Sequence, residues 1–298
     1  MENYDLTVII ISFNTKEITR NCLDSIYNSL KESSIKLQII VIDNSSSDGS
    51  VEMLKKYEKE KNNLRVITNH ENIGFGKANN QAVKLVNSNY ILFLNSDIEV
   101  LDNSIEKLFN YYKKNQDHVH FLGGKLLNKD KTPQSSCALF FSLPVVFAAL
   151  FLKGDYWGLT RSSPNKIKKI DWIAGACILT TKTIFRNLNG FDTDVFMYME
   201  EVDLLYRATK KGYNTFFYPN AEFIHLGFAS TGNKSYPVIQ VFKGLVYFYK
   251  KHYSKQSLFW LYVILKMKAL ISIFIGKITK NNYLIDTYEK AYKIIEMA

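Results

Sequence analysis

Cysteine, unbroken apolar spans, glycine after the first strand and acids near one end are what this 298-residue chain has little of. Its three cysteines, Cys22, Cys137 and Cys177, fall at no metal-binding or redox spacing, and no signal peptide is read ahead of the first strand. The expected compartment is therefore reducing and cytoplasmic. With no internal repeat and no low-complexity linker, the length fits one large domain or a domain with an appendage. Two apolar stretches fall short of a bilayer span. Cys137 to Leu152 is too short, contains Pro144 and reads as a core or lid helix, with membrane contact the alternative; Leu258 to Ile278 is interrupted by Lys266, Lys268 and Lys277. The loop Ser12-Phe13-Asn14-Thr15-Lys16 has no glycine. That counts against nucleotidyl transfer to a sugar phosphate, which calls for a glycine- and basic-rich loop there. Acids are scarce in the tail: from Lys234 onward eleven lysines face only Asp286, Glu289 and Glu296, a surplus of +8 out of a net +10. The remaining +2 counts against the other alternative, a non-catalytic basic binding module with its charge spread over the body.

What is present is ordinary for a globular protein, 47% hydrophobic and 22% charged. The chain is organised around Tyr90 to Val100, in which the apolar run Tyr90-Ile91-Leu92-Phe93-Leu94 ends abruptly in Asn95-Ser96-Asp97. Such a run reads as a strand buried on both faces of a parallel sheet. Leu6 to Phe13, Leu37 to Ile42 and Leu64 to Thr68 are further strands, alternating with helices at about 16–30, 50–59 and 77–86. The pattern is a doubly wound, mostly parallel α/β sheet flanked by helices, with the polar strand ends gathered on one rim. Further on, Asp171 to Thr181 reads as one strand, Thr215 to Tyr218 and Glu222 to Leu226 as two short ones, and the chain from about Tyr236 as helical. The expected division is residues 1–234, nucleotide-binding to about residue 100 and acceptor-binding beyond, with a helical extension over 235–298.

Ligands of open α/β sheets gather past the carboxyl ends of the strands. Asp97, delivered there, can hold a divalent cation, and His225 can complete the site because imidazole suits Mn²⁺. Asp43, at another strand end, can accept from a nucleobase imide or a ribose hydroxyl. The Asn72-Ile73-Gly74 turn opens a helix and can bring backbone N–H groups near phosphate. Glu200, Glu201 and Asp203 crowd the first turn of one helix, where mutual repulsion raises their pKa values and one of them can act as a base.

In this order, Ile10-Ile11-Ser12-Phe13-Asn14, Val41 to Gly49, Asn72-Ile73-Gly74-Phe75, Leu94 to Asp97, Gly190-Phe191-Asp192, Tyr198 to Leu204 and His225 to Ser230 resemble the family 2 inverting glycosyltransferases of the GT-A fold. The likeness is to their rhamnosyltransferase-like branch. It implies that Ser12, Asn14 and Asp43 hold the nucleoside, that Asp97 is the metal-binding acid with His225 as a second contact, and that Glu201 is the general base. Asn95 stands where the family has the first Asp of its DxD motif, and Glu201 stands where it has Asp. The implied reaction is metal-dependent, with Mg²⁺ or Mn²⁺. It moves a sugar, dTDP-L-rhamnose first among donors and UDP-hexose or UDP-N-acetylhexosamine the alternative, to a glycan or polyprenyl-diphosphate-linked acceptor in cell-surface polysaccharide synthesis.

The tail interleaves its lysines with Leu258 to Tyr262 and Ile271 to Ile275, a mixture that suits an anionic membrane surface better than nucleic acid. It is expected to lie on the cytoplasmic face of the cell membrane; the alternative is packing on the catalytic domain or on a second copy of the chain.

Overall fold

The computed structural model describes residues 4–194, 198–227 and 235–297. Phe228 to Ser230, the end of the last motif, and the expected boundary at Lys234 lie outside them. The first elements are β1 (Leu6–Ser12), α1 (Lys16–Ser29), β2 (Leu37–Asp43), α2 (Ser50–Glu60), β3 (Leu64–Thr68), α3 (Phe75–Val83) and β4 (Tyr90–Asn95). There follow β5 (Ile98–Val100), α4 (Ser104–Asn115), β6 (Phe121–Leu127), β7 (Pro133–Gln134), β8 (Cys137–Ala138), α5 (Leu143–Phe151), β9 (Arg161–Ser162) and β10 (Lys168–Ile170). The last are β11 (Trp172–Ile173), β12 (Cys177–Thr181), α6 (Lys182–Asn187), α7 (Glu200–Lys210), β13 (Thr215–His225), α8 (Ser235–His252), α9 (Lys255–Ile278) and α10 (Asn282–Glu296).

The chain divides into two compact units: Met1–Ala138 with Ser162–Phe196 and Glu200–Ser230, and Leu139–Arg161 with Met197–Met199 and Thr231–Ala298. The first is built on a sheet of order β10-β13-β6-β12-β4-β1-β2-β3. β1 pairs in parallel with β2 and β4, and β2 with β3, so the apolar runs lie side by side and bury on both faces. Leu6, Val8, Ile9 and Ile10 are wholly buried, as are Ile91, Leu92 and Phe93. α1 lays Thr19, Cys22, Leu23 and Ile26 on the sheet at helical spacing. Within the sheet β12 runs antiparallel to both β4 and β6, and the short strands β10, β5 and β7 pair antiparallel at its margin.

Several expected elements shift. α3 begins at Phe75 rather than Lys77, because Gly74 turns the chain at φ +84° and the Phe75 ring packs edge-on against Phe191. The stretch from Asp171 is two strands, broken at Ala174-Gly175-Ala176. Thr215 to His225 is a single strand, and a bulge between Tyr218 and Glu222 accommodates Pro219, which has no N–H for the ladder. Cys137 and Ala138 are a strand, and the helix after them starts at Leu143 with Pro144 in its first turn, where a missing N–H costs no bond. Only Val146 of that helix is buried, so it is not a core helix.

In the second unit α9 buries Leu261, Leu265, Ala269, Ser272 and Gly276, and packs on α8 and α10. Gly276 sets the spacing to α10: a Cβ there would stand 2.9 Å from Cγ1 of Ile285.

Candidate active site

The ends of β1 and β2 are stitched together. Asn14, in the left-handed region at φ +51°, donates its N–H to Oγ of Ser46 (2.8 Å), and its Oδ1 accepts the N–H of Ser47 (2.8 Å). Lys16 N–H donates to Oδ2 of Asp48 (2.8 Å), whose Oδ1 accepts from the Ser50 hydroxyl (2.6 Å). Burial opposes ionisation of Asp48, but these bonds outweigh it and hold the carboxyl below its usual range. Ser12 is buried, with its hydroxyl 3.2 Å from that of Thr19. Asp43 is wholly buried at the end of β2. Its Oδ1 accepts the Ser46 N–H (2.8 Å), while Oδ2 has no hydrogen-bond partner. A buried acceptor without a donor is costly, so this atom is poised for a ligand N–H or O–H.

Beside it runs a ladder of amides. Gln81 donates to Asn69 (3.0 Å), Asn69 to Asn44 (2.9 Å) and Asn44 to Oδ1 of Asn72 (3.1 Å). Oδ1 of Asn72 also accepts the Gly74 N–H (3.0 Å) and so shapes the turn into α3.

Asn95 and Asp97 follow β4. The antiparallel pairing of β13 with β5 sets His225 opposite Ile98, which brings the imidazole over this turn. Nε2 of His225 lies 3.4 Å from Oδ1 of Asp97, itself 8% exposed, and 3.5 Å from Nδ2 of Asn95. The tautomer of His225 follows from a chain of hydrogen bonds. Asp130 carboxylate can only accept, so the Thr132 hydroxyl donates to it (2.6 Å). Thr132 Oγ1 then accepts from Nδ2 of Asn128 (2.9 Å), and Oδ1 of Asn128 accepts from Nε2 of Gln134 (3.1 Å). This leaves Oε1 of Gln134 as the acceptor for Nδ1–H of His225 (2.7 Å). Nε2 is then the acceptor for Nδ2 of Asn95, with the Asp97 carboxylate on its open side. A carboxylate oxygen and an imidazole nitrogen so placed are a donor pair that can hold a divalent cation, Mn²⁺ more readily than the harder Mg²⁺. Among the described residues no cluster of three or more metal-holding side chains occurs.

The acid cluster opens α7. Glu200 is buried with Oε2 unpartnered; burial, and then the neighbouring Glu201, pushes its carboxyl well above the usual range. Asp203 is buried and paired to Arg207 (2.7 Å). That guanidinium also donates to the carbonyls of Leu188 and Gly190, clamping the turn before Phe191. Glu201 packs on Gly175, where a Cβ would lie 3.6 Å from its own. The next carbonyl, of Ala176, accepts the Asn95 N–H (3.0 Å). The 174–176 break in the strand thus links Glu201 to the Asn95–Asp97 turn. Cys22 is close by, but burial and then the charge of Asp97 push its thiol far up, which leaves it unreactive.

Of the residues singled out in the sequence, Asn95, Asp97 and His225 come together, and Asp43 and Asn14 share the stitched β1–β2 rim. Asn72 and Gly74 join that rim through Asn44. The parts played by Gln134 and by the Asn44 side chain are not legible in the sequence; a single polar residue carries no periodic signal, and only the pairing of distant segments brings these two to the site.

Residues 7–142 match the family described as Glycosyl transferase family 2. The chain carries a family 2 glycosyltransferase domain. This glycosyltransferase is 25% identical over 217 residues to the N-acetylglucosaminyl-diphospho-decaprenol L-rhamnosyltransferase of Mycobacterium tuberculosis, covering 66% of the chain and 68% of that protein. It is 30% identical over 173 residues to Rhamnosyltransferase WbbL of Escherichia coli, covering 55% of the chain and 64% of that protein. Its fold is that of the mannosyltransferase PcManGT from Pyrobaculum calidifontis, solved in complex with GDP-Man and Mn²⁺, at a TM-score of 0.59 and 17% identity over 99% of this chain and 86% of that one. The glycosyltransferase is thus of the GT-A type, with helices at its C-terminal end.

Proposed function

We propose that this enzyme transfers L-rhamnose from dTDP-L-rhamnose, with inversion, to a hydroxyl of a glycan or polyprenyl-diphosphate-linked acceptor. The observation that carries the reading is the meeting of Asp97 and Nε2 of His225 at the end of β4, with Glu201 tied to the same turn through Gly175 and Ala176. The rhamnosyltransferases among the relatives support the donor sugar and the lipid-linked acceptor.

Oδ2 of Asp43 accepts the imide N–H of the donor base. Asn72 holds the Gly74 turn so that the α3 N-terminus faces phosphate. Asp97 and His225 would hold a divalent cation, which would supply positive charge at the nucleoside diphosphate; the mannosyltransferase of the same fold was solved with GDP-Man and Mn²⁺. Glu201 takes the proton of the acceptor hydroxyl as that oxygen attacks the anomeric carbon from the face opposite the leaving group, with no covalent intermediate. Glu200, held neutral, keeps a second negative charge out of the acceptor site, and Asp203 fixes the helix through Arg207. The lysine-rich second unit rests on the cytoplasmic membrane face.

Incubation with a panel of sugar nucleotides and Mn²⁺ or Mg²⁺ tests the reading. Release of dTDP is expected with dTDP-L-rhamnose; release of pyrophosphate instead would replace transfer by nucleotidyl chemistry. A melting screen ranks dTDP-L-rhamnose against UDP-hexose and UDP-N-acetylhexosamine. A donor at a hundred times its Kd stabilises by about 2.7 kcal/mol.

A further inference from the structure

Exposed apolar side chains are unevenly shared between the two units. The first exposes Ile167 and Leu226; every other exposed large apolar side chain among the described residues belongs to the second. Part of that surface is α9. Opposite its buried stripe it exposes an arc that includes Trp260, Met267, Leu270, Phe274 and Ile275. At 100° per residue, Lys266 and Lys268 stand on the two margins of this arc rather than across it. The Lys266 head lies over the Tyr292 ring (5.9 Å), and that of Lys268 over Phe151 (5.7 Å) and Tyr288 (5.9 Å). Apolar arcs with lysines drawn to the rim are the pattern of a helix lying in a lipid interface.

The other part is the excursion Leu139 to Thr160. α5, sequence LPVVFAALF, rests on α9 yet buries only Val146. Phe151 under Lys268 places it at one margin of the α9 arc, so the two apolar surfaces adjoin. Beyond α5 the chain turns at a tip with Tyr156 78% and Trp157 68% exposed, their rings edge to face at 5.1 Å. The tip is braced: Leu159 N–H donates to the Gly154 carbonyl (2.8 Å), and the Thr160 hydroxyl donates to Asp155. A Cβ on Gly154 would stand 2.7 Å from the Thr160 side chain. Water-exposed Trp and Tyr on a braced tip, beside bare aliphatic residues, match the headgroup level of a bilayer.

We infer that the 139–160 hairpin is a second membrane-contacting element, with α5 and the Tyr156–Trp157 tip entering the headgroup region of an anionic bilayer beside the α9 arc. The inference rests on the proposed membrane placement of the second unit. It makes the contact an in-plane one. Among the described residues α9 is the one helix long and apolar enough to cross a membrane. Its close seam with α10 would, however, draw Asp286, Glu289, Lys290, Lys293 and Glu296 into hydrocarbon. The surplus of +8 after residue 233 favours anionic lipid as the occupant.

The full chain with Trp260→Phe, which keeps Trp157 and the buried Trp172, is mixed with phosphatidylglycerol–phosphatidylcholine vesicles carrying brominated acyl chains, and flotation is recorded in parallel. The expected result is flotation with anionic vesicles, a blue-shifted tryptophan emission and its quenching by bromine. The double variant Tyr156→Ser/Trp157→Ser should bind such vesicles about tenfold more weakly or worse, with Tm unchanged. Flotation without quenching, and with the double variant binding normally, overturns the hairpin inference and leaves the α9 contact standing. Failure to float with any lipid overturns the membrane placement itself. A lipid-free emission shift that follows protein concentration, together with dimer in sedimentation equilibrium, assigns the face to a second copy and overturns the inference as well.

Discussion

Nδ1 of His225 and Oε1 of Gln134 lie 2.7 Å apart, and the direction of that bond is set from the far end of a chain of side chains by the Asp130 carboxylate. A surface turn thereby decides which imidazole nitrogen is left open toward Asp97. Gln134→Leu removes the acceptor, so the ring is free to swap tautomers and rotate. Residues that orient a metal-bound histidine typically contribute 10–100-fold to affinity. Mn²⁺ titration followed by electron paramagnetic resonance, with nucleoside diphosphate present, should show a loss of about that size. Ring ¹⁵N shifts of His225 in metal-free protein should report the Nδ1–H form in the wild type and a mixture in the variant. Unchanged affinity in Gln134→Leu removes the role.

Asp97→Asn should abolish metal-dependent turnover with the fold intact. The carboxylate is the charged partner at the end of β4, and an amide in its place cannot match its attraction for a divalent cation. Full activity of the variant across a titration of Mn²⁺ would refute the assignment.

Glu201→Gln should lower kcat by about 10²–10⁴-fold while donor affinity stays near that of the wild type, since a base works on the acceptor in the transition state. Calorimetric titration with the nucleotide sugar measures the second quantity. Should Glu200→Gln be the dead variant instead, the base is the buried neighbour.

Glu200 also makes a stability prediction with a definite sign. Its folded-state pKa is raised, so the folded protein holds a proton that the unfolded chain releases once pH exceeds the ordinary carboxyl range. The penalty is absent below pH 4.5, the ordinary value, and grows as pH rises above it until the folded group ionises. Glu200→Gln, which mimics the protonated acid, should therefore gain Tm relative to the wild type from pH 5 to pH 8. A Tm difference that does not vary between those two pH values is incompatible with the raised pKa.

Arg207→Ala should destabilise the fold by about 3 kcal/mol or more, because it removes the guanidinium that pairs with the buried Asp203 carboxylate and donates to two backbone carbonyls. Chemical denaturation gives the value. A loss below about 0.5 kcal/mol, typical of a solvent-exposed pair, would mean the clamp is not holding the turn.

The parts legible in the sequence were those written in apolar periodicity. The bounds of β3 and the starts of β1, β2 and β4 follow from short runs dominated by large apolar residues, and the acidic first turn of α7 from three carboxylates in four positions. Harder to read was whatever depends on a partner far along the chain. Asp203 looks like a member of the acid cluster until Arg207 is seen to hold it. α5 reads as core because composition measures apolarity, not whether a neighbour covers it. Asp171 to Thr181 reads as one strand because alanine and glycine interrupt it without any charge or proline to mark the break. The polarity of the Asp130–His225 chain requires five side chains, four from residues 128–134 and one from far along the chain, and no local pattern encodes it.

The place of β12 bears on how the enzyme is made. The segment that matches the family ends at residue 142, yet β4 borders β12, which is not synthesised until residues 177–181. Until then the strand ending in Asn95 and Asp97 has one unpaired edge, and β6 has no neighbour joining it to β1–β4. A nascent or truncated chain stopping before residue 177 would expose that bare apolar edge to other copies and aggregate. The strand that tethers the Asn95–Asp97 turn thus also closes the sheet, and a chain in which that turn is held in place is one that has already lost an adhesive edge.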